Sequence, residues 1–101
     1  MDANLKAKWI EALRSGEYPQ SRLGLRNAEG FCCLGVLCDV MGADWKSDGE
    51  VVVCGIRQAG YLDDVLLKTV GFSEETQEHL YNMNDGGMPF SKIADHIEAN
   101  L

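Results

Sequence analysis

The chain has 101 residues, 46% of them apolar and 25% charged, with a formal net charge of −7. That length makes one domain, residues 1–101, able to bury roughly two-thirds of its unfolded surface without obligatory disulfides or metal. The charge is uneven, five Lys/Arg against four Asp/Glu in residues 1–30 and four against twelve in residues 31–101, which disfavours direct binding to nucleic acid or anionic lipid and leaves room for a basic protein partner.

In chain order, Asp2 is placed to cap a helix running to about Ser15, with Leu5, Trp9, Ile10 and Leu13 on one apolar stripe and Gly16 ending it. Glu17 to Glu29 is polar. Within it Arg22-Leu23-Gly24-Leu25-Arg26 alternates as a short extended piece does, and Asn27-Ala28-Glu29-Gly30 reads as a turn. Phe31 to Met41 is almost free of charge and holds three of the four cysteines. A wholly apolar run fits a buried strand or a buried helix. The reading favours a helix, with Leu34, Leu37, Cys38 and Met41 on one face and Gly35 allowing close approach of a neighbouring backbone. Gly42 would stop it.

Asp44 to Gly49 reads as a loop with Trp45 folded back onto the core. Glu50-Val51-Val52-Val53-Cys54 is the clearest strand, with Ile56 to Leu62 able to pair with it in a hairpin. Asp63 to Val70 predicts a short helix with Leu62, Val65, Leu66 and Val70 inward. Ser73 caps another through about Met83, and Asn82 to Gly87 ends it in a left-handed turn. Pro89 starts a last helix with Phe90, Ile93, Ala94 and Ile97 inward. The expected fold is α+β: four or five helices around a short antiparallel hairpin, with residues 31–41 at the centre.

No apolar run approaches the ~18 residues of a membrane span, and Met1 to Lys6 lacks the pattern of a secretory signal. The four cysteines, two of them adjacent, do not form the spaced framework of a secreted mini-protein. Reduced thiols and a cytoplasmic location are expected.

Cys32, Cys33, Cys38 and Cys54 lack the paired spacing of a zinc site, since helical neighbours point about 100° apart. They read as core packing. A nucleophilic cysteine needs a base within reach, and His79 and His96 both read as outward on late helices. The reading therefore assigns no catalytic residue, no metal ligand and no cofactor. Asp63 and Asp64 read as helix-dipole partners. Asn84 and Asp85 read first as turn residues, and alternatively as part of a small-molecule pocket with Gln20, Arg14 and Arg26. Tyr18 and Trp45, both in loop-like segments, are the expected contact residues of an interface.

The words Trp9-Ile10-Glu11-Ala12-Leu13-Arg14-Ser15-Gly16, Cys32-Cys33-Leu34-Gly35-Val36-Leu37-Cys38-Asp39, Met83-Asn84-Asp85 and Phe90-x-x-Ile93-Ala94-Asp95-x-Ile97-Glu98 resemble a set of small proteins of bacteriophages and prophages. They also look distantly similar to an actinobacterial family with a Cys-x-x-Gly segment and a later Asn-Asp. The resemblance covers both ends and the cysteine segment, and residues 43–72 poorly. It implies phage origin and a shared fold, and no reaction.

Three function classes follow. The leading expectation is a non-catalytic phage or prophage accessory protein that binds a host protein, such as a component of a defence system. The alternatives are a small-ligand, nucleotide-like binding or sequestering domain using Arg14, Arg26, Asn84 and Asp85, and a cysteine-dependent enzyme.

Overall fold

The computed structural model describes residues 1–47 and 50–101. Asp2 opens the first helix, α1 (Ala3–Arg14), by accepting a hydrogen bond from the Leu5 amide at 2.8 Å. Trp9, Ile10 and Leu13 of the expected stripe are buried. Trp9 can lie fully buried because its indole N–H donates to the Cys33 carbonyl at 2.9 Å.

Two short strands follow, β1 (Arg26–Asn27) and β2 (Gly30–Phe31), paired antiparallel around Ala28-Glu29. The extended piece expected over Arg22–Arg26 survives only at its last residue. Leu23 at φ +62° and Gly24 at φ +117° bend the backbone sharply just before it.

The cysteine segment is a helix, α2 (Cys33–Val40), and every residue from Cys33 to Cys38 is buried. It is surrounded on all sides, which is why it shows no clean polar face. Gly35 is the condition for this: a Cβ there would lie 1.8 Å from the Leu25 carbonyl oxygen, so the backbone entering β1 rests directly on the helix.

A three-stranded antiparallel sheet in the order β3-β4-β5 covers the next stretch. Its strands are β3 (Asp44–Ser47), β4 (Glu50–Val53) and β5 (Ile56–Ala59). Asp44 to Ser47, expected as loop, is thus an edge strand. Its polar sequence has no strand pattern of its own, and it extends by pairing with the valine-rich β4 through a register shift between Trp45 and Ser47. The remainder of the expected loop, Asp48-Gly49, lies outside the described residues. Cys54 sits in the β4–β5 turn at φ +52° and is exposed, which corrects its placement with the core cysteines: the turn carries it out of the sheet.

Asp63 caps α3 (Asp64–Val70) by accepting from the Leu66 amide at 2.9 Å. Leu66, Leu67 and Val70 face inward, and the arc they define leaves Val65, expected inward, 57% exposed. Ser73 caps α4 (Glu74–Asp85), which continues past Met83. Asn84 and Asp85 are therefore helical and not a left-handed turn. Asn84 is drawn into the interior by partners on other segments, and the helix persists to keep it there.

The last helix, α5 (Phe90–Asn100), buries Phe90, Ile93, Ala94 and Ile97 as expected and packs on α1 and α4. Pro89 offers no side-chain cap; the Phe90 amide donates instead to Gln20 Oε1 at 3.2 Å. The result is an α+β domain with α2 at its centre. None of the described helices is long and apolar enough to cross a membrane.

Candidate functional site

Of the residues expected to line one pocket, Gln20 meets Asn84, while Arg14 and Arg26 lie apart from them. Arg14 lies on the α1–α5 seam, 2.8 Å from Asp95 and 3.3 Å from Glu98; these carboxylates raise its pKa further above the ordinary value by hydrogen bonding to it. Arg26 rests over the rings of Phe31 and Trp45, 5.6 and 5.1 Å from their centres. Asn84, 1% exposed, has its amide fully engaged. Its oxygen accepts from the Cys33 amide at 3.2 Å and from Gln20 at 3.0 Å, and its nitrogen donates to the Ser21 carbonyl at 2.8 Å. It ties the start of α2 to the segment before β1, so its role is architectural. Asp85 borders the cleft described below, and Arg14 a separate depression along α1.

Tyr18 and Trp45, expected as contact residues, do meet, but around Asp39. The Tyr18 hydroxyl and the Trp45 indole N–H donate to its two carboxylate oxygens, at 2.5 and 3.2 Å. Phe31 packs edge-on between the two rings. The hydrogen bond to Asp39 pushes the Tyr18 phenol up to about 12. Both side chains are half-buried with their polar atoms in use, so they brace β1-β2, β3 and α2 against one another.

A different constellation forms a cleft of about 300 Å³. One wall is a single face of α4, on which Glu74, Gln77, Glu78, Tyr81 and Asp85 follow at helical spacing. The other walls are Gly24, the Gly60-Tyr61 turn and Cys32. Gln77, 3% exposed, fixes the separation of the walls: it accepts from the Leu62 amide at 2.7 Å and donates to the Leu62 carbonyl at 3.0 Å. The cleft carries three carboxylates, and its lining includes no Lys, Arg or His. Its potential is therefore negative, and low-dielectric walls focus such a field.

The rim is apolar. Tyr61 and Tyr81 are 63% and 37% exposed. Leu23, 84% exposed, precedes the wall residue Gly24 and borders a neighbouring depression with Gln20 and Arg22. Leu23 also holds a left-handed backbone conformation, which a residue with a Cβ avoids at roughly 1–2 kcal/mol. Asp85 secures it there, its carboxylate accepting from the Leu23 amide at 3.2 Å. An outward leucine held in a strained conformation beside a cleft is the kind of outlier that marks function.

Cys32 brings a thiol to the cleft, 3% exposed. Burial pushes it up to about 11, above its ordinary 9. The same cause takes Cys38 to about 12 and raises Cys33 well above the ordinary value. A thiol in that state is protonated at neutral pH and a poor nucleophile. His79 and His96, the imidazoles a cysteine enzyme would need, border a different depression between α4 and α5. Among the described residues no group of three or more His, Cys, Asp or Glu has metal-holding geometry.

The helix-face spacing of Glu74, Glu78, Tyr81 and Asp85 was a readable signal for the cleft wall. Nothing in the sequence showed that Gly24 and Tyr61 would stand opposite it. No curated protein and no solved structure matches the chain. A family model described as a domain of unknown function (DUF8296) matches residues 1–54, just over half of the 101 residues, and the chain belongs to that family.

Proposed function

We propose that this is a non-catalytic binding protein whose cleft between α4, Gly24 and Gly60-Tyr61 receives a lysine- or arginine-bearing segment of another protein. One observation carries the reading: three carboxylates lie in a cleft bordered by two exposed tyrosines, Tyr61 and Tyr81. Exposed tyrosines around a charged cleft combine an apolar anchor with a means of orienting a cation. The excess of eight negative charges over residues 31–101 would accelerate the encounter with a basic partner. The resemblance to small phage proteins supports the further proposal that the partner belongs to a bacterial host, a defence component being one such target.

Charge also weighs against a nucleotide-like ligand here, because its phosphates would face Glu74, Glu78 and Asp85. A small organic cation remains chemically compatible, and it competes with the peptide for the same carboxylates.

The test is capture from bacterial lysate on immobilised protein, with three variants run alongside: Glu78→Lys, the double change Tyr61→Ala/Tyr81→Ala, and Arg14→Ala on the α1–α5 seam. The expected result is a basic protein retained at low salt and released at high salt, lost with both cleft variants and kept with Arg14→Ala. Retention of nothing, or retention indifferent to the cleft changes, overturns the reading.

A further inference from the structure

His79 and His96 are far apart in sequence and sit on different helices, α4 and α5, yet their ring centres lie 5.1 Å apart. Two imidazoles bound to one tetrahedral zinc ion, at about 2.0–2.1 Å per nitrogen, hold their ring centres roughly 5 Å apart. The planes are tilted by 49° and not stacked, and His79 is exposed and His96 half-buried, so mutual burial gives the pair little reason to be there. The depression they border is open, about 600 Å³, with Glu75 and Glu78 on its α4 side and no Lys or Arg in its lining. A cation approaching the pair meets only carboxylates and neutral polar groups.

We propose that His79 and His96 form a two-histidine site for a divalent transition-metal ion, zinc being the representative, that clamps α4 to α5. Because no group of three potential ligands converges among the described residues, the remaining coordination positions belong to water, and the nearby glutamates act through their charge. Asn100 contacts the His96 member of the pair. Its amide nitrogen donates to the His96 carbonyl at 2.9 Å and stands 3.3 Å from His96 Nδ1. A metal at Nε2 requires a proton on Nδ1, so the Asn100 amide turns away from the ring when the ion binds and water accepts from Nδ1. The depression shares Glu78 with the acidic cleft, but neither histidine lines that cleft, and the site does not depend on the binding reading above.

The experiment is calorimetric titration of zinc chloride into the full chain carrying Cys54→Ser, which removes the exposed thiol as a competing ligand. His79→Asn and His96→Asn are made in the same background, with far-UV circular dichroism to confirm that each folds. The proposal expects one zinc per chain. It also expects affinity weakened by about tenfold or more in either histidine variant, binding that falls on acidification because the metal needs neutral imidazole, and a zinc-dependent rise in melting temperature seen only with both histidines present. Equal binding in the histidine variants would place the ion elsewhere and overturn the proposal. An absence of heat up to millimolar zinc would also overturn it, leaving the two rings as a surface contact.

Discussion

Replacing Gly35 by Ala sets two physical effects against each other, and the structure says which one wins. In an ordinary helix interior the change stabilises by about 1 kcal/mol, because alanine costs less backbone entropy. Here the new methyl would stand 1.8 Å from the Leu25 carbonyl oxygen and 2.8 Å from its carbon, about half the distance at which such atoms normally rest. Leu25 cannot simply withdraw. Its side chain is fully buried and its carbonyl accepts from the Cys32 amide at 3.1 Å, at the N-cap of α2. Overpacking of this kind costs about 1–3 kcal/mol, with the upper end expected when backbone meets backbone. Loss of the Cys32–Leu25 hydrogen bond adds about 1 kcal/mol. After the helix-propensity gain the net expectation is a loss of about 2–3 kcal/mol, or roughly 10–20 °C in melting temperature for a domain of this size. Urea unfolding of Gly35→Ala against the parent, followed by far-UV circular dichroism in reducing buffer, measures it. A variant as stable as the parent, or more so, would refute the claim that the backbone before β1 is seated against α2.

Four other outcomes are expected. In the native protein Cys54 alone should react rapidly with an aromatic disulfide reagent, the other three thiols reacting only on unfolding and Cys54→Ser being inert; a fast second thiol would return a nucleophile to the cleft. Burial raises Cys32 and Cys38 to about 11 and 12, and Cys33 well above its ordinary value, so the unfolded chain releases these protons first. Their stabilisation is complete below pH ~9 and is lost as pH climbs toward 12, at up to roughly 1 kcal/mol per thiol per pH unit. Denaturation midpoints measured in reductant at rising pH that stayed flat across this window would contradict the burial. Asn84→Ala strands the Cys33 amide and the Ser21 carbonyl and should cost about 2–4 kcal/mol by chemical denaturation, whereas a loss below about 1 kcal/mol would show that water takes its place. Leu23→Asn, which tolerates the left-handed backbone and removes an 84% exposed side chain, should stabilise by up to ~1 kcal/mol while weakening partner capture, and a drop in stability would show that the leucine packs on something.

What the sequence discloses and what it withholds divide along physical lines. The caps at Asp2 and Ser73 and the inward residues of α1 and α5 are set by local rules of period and hydrogen bonding, so they are readable without neighbours. The close approach at Gly35 is readable for the same reason: a glycine inside an apolar helix needs an explanation. β3 is not, because a polar edge strand owes its shape to β4. Asn84 misleads because the residue that suits a left-handed turn also serves as a buried amide with both ends occupied, and only its distant partners Gln20, Ser21 and Cys33 decide which. Tyr18 and Trp45 mislead similarly: their segments are irregular, as expected of contact loops, but Asp39 holds both polar atoms inward.

The cleft depends on contacts of still longer range. Its α4 wall follows from helical spacing, yet the facing residues come from two separate segments, around positions 23 and 61, and the family match over residues 1–54 takes in only the first of them. Leu23 is the point where local preference and final structure disagree most plainly. A leucine in a polar, glycine-containing stretch would ordinarily turn inward or give way to asparagine or glycine. Here the Asp85 carboxylate holds its amide and the side chain faces solvent. Asp85 thereby does two things: it fixes the strained turn and adds negative charge to the cleft beside it. The strained turn sets Gly24 in the cleft wall, which is why relieving the strain should raise stability while lowering affinity.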